Sequence, residues 1–255
     1  MNFDPPLLEG ILLRRYQRFL ADIRLTNGTM VTAHTANTGA MTGCSEPGSR
    51  VWLRHSGNTR RKYPLTWELV ETPEGQLVGI NTALANPLVR AAIEAGSIAE
   101  LQGYHAIRQE VSFGAENSRI DLLLTHDRRP ACLVEVKNVT LVKNGIARFP
   151  DAVSRRGTRH LRELALAVRQ GLRAVIFFCI QREDAREMRP ADDIDAAYGA
   201  MLREALARGV EALAYDCRVT TTAITVRRPV PVCCPQEPLL RQSIVKQPSE
   251  RPRRS

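Results

Sequence analysis

No apolar run in this chain approaches the roughly 18 residues that a membrane-spanning helix needs. The start, MNFDPPLLEG, lacks the basic-then-apolar order of a signal peptide, so the reading is a cytoplasmic protein with no membrane partner. None of the six cysteines forms a CxxC pair. Cys132 and Cys179 lie in apolar strand-like runs, where free cysteine behaves as a small hydrophobe. Cys233-Cys234 offers too few ligands for structural zinc. No phosphate-binding P-loop, GxGxxG or GxSxG pattern occurs, which removes the usual ATPase, Rossmann and serine-hydrolase readings. No nucleotide or organic cofactor is therefore expected. Lysine is scarce: of 36 basic residues only Lys62, Lys137, Lys143 and Lys246 are lysines.

What remains is a globular composition, 44% hydrophobic and 25% charged over 255 residues, with a net charge of +9. The positive charge gathers in two places. Arg50, Arg54, Arg60, Arg61 and Lys62 occur with no acid from 49 to 67. Lys143, Arg148, Arg155, Arg156, Arg159 and Arg162 are opposed only by Asp151. Clusters of this kind fit a polyanion or a solvated face, and nucleic acid, DNA or RNA, is the first partner to consider. Oligomeric state is not legible.

Strand-like runs at 11–13, 19–25, 30–34, 51–55 and 65–70 are separated by turn signals, with Asn27-Gly28 expected to form a type I′ hairpin. Five short strands suit an OB-like barrel over residues 1–80. Tyr16, Phe19, Trp52, Tyr63 and Trp67 then serve either as barrel core or as rings on which bases stack. From 81 to 228 the order changes to helix, three strands, helix, strand and additions, a mixed α/β unit. Asn86-Pro87 reads as a helix cap, and strands are expected over 106–113, 119–125, 131–137 and 172–180. Helices are expected over 158–170 and 192–208, and strands over 210–215 and 218–226. Residues 229–255 hold six prolines without periodicity and read as a disordered tail.

Within the second unit Asp121 stands in one apolar strand, and Glu135 and Lys137 share one face of the next. A carboxylate inside an apolar strand is costly unless paired or metal-bound. Two carboxylates and an amine suit a magnesium- (or manganese-) dependent phosphodiesterase, in which the acids hold the cation and the amine steadies developing charge. A salt-bridged strand face is the alternative. Lysine at 137, in a chain that otherwise uses arginine, favours a site that needs a compact amine.

Four segments also carry a family resemblance: His34-Thr-Ala-Asn37-Thr38-Gly39-Ala-Met41, Ser118-Arg119-Ile120-Asp121, Glu135-Val136-Lys137-Asn138-Val139-Thr140-Leu141, and the run from Phe149-Pro150-Asp151 to His160-Leu161. Together they resemble the bacterial sugar fermentation stimulation protein A family over nearly the whole chain. Arg159 stands where lysine is expected, with charge kept. The resemblance implies an OB-like barrel followed by a PD-(D/E)xK nuclease-like domain. It further implies non-specific DNA binding and a regulatory part in sugar (maltose) metabolism, or alternatively a magnesium-dependent nuclease. It places Asp121, Glu135 and Lys137 in the nuclease motif. A further acid is implied, with Glu94 and Glu110 as competing matches. Arg155 and His160 lie on the helix that flanks such a site, where His160 either meets phosphate or packs. His34, Asn37, Thr38 and Gly39 match the family's signature loop.

Overall fold

A computed structural model describes residues 1–58, 60–114 and 118–235. The first unit contains β1 (Leu8–Tyr16), β2 (Leu20–Leu25), β3 (Met30–His34), β4 (Arg50–His55), β5 (Leu65–Glu71) and β6 (Leu77–Gly79). They pair in the order β3-β2-β1-β4-β5-β6, and a parallel β3–β5 pairing closes the first five into an OB-like barrel. Closure leaves no free edge among them and turns alternate side chains inward. Leu12, Ile23, Val51, Leu53, Trp67 and Val70 fill the interior.

Both tryptophans are core, not stacking platforms. Trp67 is fully buried and its Nε1 donates to the Leu69 carbonyl at 2.8 Å, while Trp52 packs with the core of the second unit. The β2–β3 hairpin forms at Asn27-Gly28, but not through a type I′ turn. Only Gly28 takes a left-handed φ, and Asn27 Oδ1 instead accepts from Thr29 N. Consecutive left-handed residues occur at Gln17 and Arg18, between β1 and β2.

The second unit opens with a 3₁₀ turn (Thr82–Leu84) and α1 (Ala85–Glu94). The turn is capped by Asn81, so Asn86 lies inside α1 and its side chain is released for another partner. Then follow β7 (Ala106–Phe113), β8 (Ser118–His126), β9 (Arg129–Val139), β10 (Val142–Lys143), β11 (Ile146–Phe149), α2 (Arg155–Arg169), β12 (Arg173–Ile180), β13 (Glu187–Pro190), α3 (Ala196–Ala207), β14 (Glu211–Val219) and β15 (Ile224–Pro229). The main sheet has the order β15-β14-β12-β9-β8-β7, with β9, β12 and β14 parallel and the flanking pairs antiparallel. A small ribbon, β10-β11-β13, stands apart.

Strand β12 is buried along nearly its whole length, as a continuous apolar run predicts for a central parallel strand. Val175, Phe177 and Cys179 face the cluster that includes α1, while Ala174, Ile176, Phe178 and Ile180 face α2 and α3. Helix α3 starts later than 192 because Asp195 caps it through Tyr198 N, whereas Asp192 pairs with Arg203. Helix α2 starts earlier than 158, capped by Ser154 on Gly157 N.

The two units are interlocked. Phe3 enters the second unit's core cluster, and its N–H donates to Thr222 O at 2.8 Å. A polar chain also crosses the boundary: Arg54 Nε donates to Glu68, Asn81 Nδ2 donates to the other Glu68 oxygen, and Gln181 Nε2 donates to Asn81 O and Asn138 Oδ1. Residues 229–235, expected in a disordered tail, are instead ordered against the fold. Val230 is buried and Val232 bridges to Met188, so 229–235 packs on the fold; 236–255 lie outside the described residues. No helix among the described residues is long and apolar enough to cross a membrane.

Candidate functional site

Strands β8 and β9 pair in register at Leu122↔Val134, which carries Asp121 alongside Glu135. Asp121 Oδ1 accepts from Asn86 Nδ2 at 2.8 Å, and Oδ2 from Val136 N at 2.7 Å. Glu135 is almost completely buried, and its Oε1 accepts from Lys137 Nζ at 2.5 Å. The same oxygen meets His160 Nδ1 from α2. Arg156 Nε donates to His160 Nε2 at 3.2 Å, so that nitrogen is the acceptor and Nδ1–H is the donor toward Glu135.

The two carboxylates are pushed in opposite directions. Burial raises the Asp121 pKa, and the neighbouring Glu135 charge adds to the rise, against the Val136 hydrogen bond and Lys137. Burial also acts to raise Glu135, but the His160 hydrogen bond and the Lys137 charge outweigh it and hold its pKa below the ordinary value. Glu135 is thus ionised by its neighbours, while Asp121 is short of positive charge. Glu135 Oε2 is buried with no hydrogen-bond partner. An orphaned carboxylate oxygen beside a charge-poor carboxylate suits a hard divalent cation. No third His, Cys, Asp or Glu among the described residues completes a metal cluster. Asp121 and Glu135 would hold such an ion, and its remaining ligands would come from water, as is common for magnesium.

These side chains line a cleft of about 360 Å³. Its other wall comes from the barrel: residues 36–39, the loop that follows β3. Arg15 holds that loop from behind, donating to the carbonyls of Asn37 at 3.0 Å and Gly39 at 2.9 Å, and Thr82 Oγ1 donates to Ala36 O. Asn37, Thr38 and Gly39 therefore share the cleft with Asp121, Glu135 and Lys137, whereas His34 does not line it.

Several expected residues lie elsewhere. Glu94 is exposed and paired with Arg90 on α1, away from the cleft. Glu110 lies between the Gln109↔Leu122 and Val111↔Ile120 pairs, but takes a left-handed φ of 52°, is exposed and does not line the cleft. His160 is buried and does not line the cleft, and its two ring nitrogens contact Arg156 and Glu135. Arg50 pairs with Glu9 and Glu71, and Arg54 with buried Glu68, so both charges are held within the barrel. Arg60 and Lys62 are exposed, and Arg61 is half-buried against Thr66. Arg155 and Arg162 are exposed on α2, and Arg159 is half-buried between them.

Sequence reasoning missed Asn86, Asn138, Arg148 and Phe149 in the cleft wall. Asn86 was disguised by the proline after it, which reads as a helix start. Asn138 follows the motif lysine directly, and Phe149 and Asp151 lie in a segment already singled out.

The comparisons follow this architecture. A family model described as the SfsA N-terminal OB domain matches residues 13–80. A second, the sugar fermentation stimulation protein RE domain, matches residues 83–223. A sugar fermentation stimulation protein homolog of Geobacter sp. (strain M21) is 57% identical over 232 residues, covering 91% of this chain and 99% of its own. One from Thioalkalivibrio sulfidiphilus is 56% identical, covering 89% and 96%. The solved structure of Pyrococcus furiosus SfsA in complex with Ca2+ superimposes with a TM-score of 0.82 at 29% identity, covering 91% of this chain and 97% of that one.

Proposed function

The chain belongs to the sugar fermentation stimulation protein family, and from that premise we propose that it binds DNA through backbone phosphates and cleaves it with a divalent cation, Mg2+ or Mn2+, held by Asp121 and Glu135. The observation that carries this reading is the buried, unpartnered Glu135 Oε2 next to Asp121 beneath Lys137. A structural ion-pair face would leave no carboxylate oxygen without a partner. The relative solved with Ca2+ accords with a hard-cation site in this fold.

When bound, the cation polarises the phosphate and makes water nucleophilic. Asp121 and Glu135 supply its anionic ligands. His160 orients Glu135 through Nδ1–H, a contact of the kind that fixes ligand geometry. Lys137 is the one amine on the cleft floor, placed to steady charge on the phosphate or to orient water. Arg155 and Arg162 of α2 and the 60–62 segment of the barrel hold DNA outside the cleft, without base readout.

A second reading keeps the DNA binding and omits cleavage, with a regulatory part in sugar metabolism. The observation in its favour is that Arg155, Arg159 and Arg162 of α2 do not line the cleft and need no metal. Incubation of DNA with Mg2+, Mn2+ or a chelator decides between them. Metal-dependent cleavage that is lost in Asp121→Asn and Glu135→Gln supports the first reading, and intact DNA under all conditions with retained binding establishes the second.

A further inference from the structure

The shape of the cleft, not its chemistry alone, bears on the form of DNA that reaches it. The carboxylates and Lys137 lie on its floor, with Glu135 and Lys137 side chains only 3% and 12% exposed. Residues 36–39 of the barrel form the opposing wall. That wall is fixed at three points: by Arg15 on its carbonyls, by Thr82 on Ala36 O, and by Asp151, whose Oδ2 accepts from Met41 N at 3.1 Å. Asp151 belongs to the second unit, so the wall is fastened across the cleft as well as behind it. The units share a core through Phe3 and Trp52, so widening the cleft for a broad rod would break that packing. A volume of about 360 Å³ lies at the low end for small-ligand sites and corresponds to roughly one nucleotide.

The lining suits a nucleotide removed from a helix. Among the described residues Phe149, half-buried, is the one aromatic residue that lines the cleft, and its ring packs on Phe178 and Tyr198, with ring centroids 5.9 and 5.2 Å away. Ring faces of this kind hold unstacked bases whatever their sequence. Thr38 is exposed at the opposite wall. In duplex DNA the base next to each phosphate is paired and stacked, out of reach of such a ring.

We infer that the cleft takes single-stranded DNA, one unstacked nucleotide at a time, while duplex DNA binds only the outer basic surfaces. The inference rests on the proposed phosphodiester site but makes a separate claim about the form of its substrate. The test measures affinity in Ca2+ for a single-stranded oligonucleotide and for a duplex closed by hairpins at both ends, with equal phosphate number. The wild type is expected to bind the single strand about tenfold more tightly, since stacking adds to a shared phosphate term. Thr38→Trp, at an exposed position, fills the cleft and is expected to abolish that preference with duplex affinity unchanged. Phe149→Leu is expected to reduce it.

Equal affinity for both DNAs, insensitive to Thr38→Trp, would overturn the inference. Replacing Ca2+ with Mn2+ separates it from the reading beneath it. A persisting single-strand preference with no cleavage sinks the phosphodiesterase reading and upholds the inference. Cleavage of the closed duplex as fast as the single strand does the reverse.

Discussion

Gly39 of the barrel loop stands so close to Asp151 that a β-carbon added to it would lie 2.4 Å from Asp151 Oδ2. The two residues are 112 positions apart, yet nothing larger than hydrogen fits between them. Asp151 cannot retreat freely, because the same oxygen accepts from Met41 N. Gly39→Ala is therefore expected to destabilise the protein by about 1–3 kcal/mol, the usual result of overpacking a tight site. Urea denaturation measures this, and unchanged stability would show that the loop and Asp151 move apart without cost.

Asp121→Asn removes one of two crowded carboxylate charges. The variant without metal is expected to be as stable as the wild type or more so, since burial and Glu135 disfavour the Asp121 charge. Saturating Mg2+ stabilises the wild type by mass action, about 2.7 kcal/mol at a hundredfold excess over Kd, and this gain should disappear in the variant. Calorimetry with and without metal reads both effects. Destabilisation of the metal-free variant would mean that Asp121 serves as a structural ion-pair partner.

His160→Ala leaves Glu135 with Lys137 alone. Loss of such a supporting hydrogen bond is expected to weaken Mn2+ binding about 10–100-fold. Isothermal titration gives the affinity, and His160→Gln, which retains a side-chain N–H donor, is expected to recover part of it. Equal metal affinity in all three proteins would reduce His160 to packing.

The pH dependence follows from the opposed carboxylates. Glu135 has a lowered pKa in the fold, so its contribution to stability is present above the unfolded value, about 4.3, and is lost as pH falls through the lowered folded value. Asp121, with a raised pKa, acts in the other direction: its stabilising effect is present at low pH and is lost as pH rises through its folded value. Glu135→Gln is accordingly expected to flatten the acid limb of the stability curve, and Asp121→Asn the limb just above it. Denaturation midpoints followed across the acid range would expose an error in either sign.

The basic surfaces are tested by salt. If Arg155 and Arg159, or Arg60, Arg61 and Lys62, contact duplex phosphates, each lost contact lowers the log–log salt slope by about 0.9. Alanine replacements of either set are expected to weaken binding alike on all sequences. Arg50→Ala and Arg54→Ala should leave the slope unchanged, because those charges are already matched by Glu9, Glu71 and Glu68.

Much of this architecture can be read from local pattern. The buried run at β12, the paired motif of Asp121 with Glu135 and Lys137, and the change from short strands to helix and strand near residue 81 all rest on period and composition. What escapes is set by partners distant in sequence. Trp52 looks like a stacking ring until the second unit's core covers it, and Arg50 looks available until Glu9 and Glu71 arrive from other strands. Asn86 reads as a cap because Asn-Pro usually is one, yet Asn81 and the 3₁₀ turn start the helix earlier and free Asn86 for Asp121. Glu94 and Glu110 were matches of type and position, and their failure comes from an ion pair in one case and a left-handed backbone in the other.

Phe3 seals against residues made more than 200 positions after it. Its N–H reaches Thr222 and its ring joins a cluster containing Val219 and Ile224. During synthesis the barrel's strands are complete once residue 79 has emerged, whereas the site that receives Phe3 requires β15. At the usual 5–20 residues per second, the barrel waits roughly 8–30 s with Phe3 and one side of Trp52 uncovered. The nascent chain thus carries, for most of its synthesis, an apolar surface that the finished molecule hides.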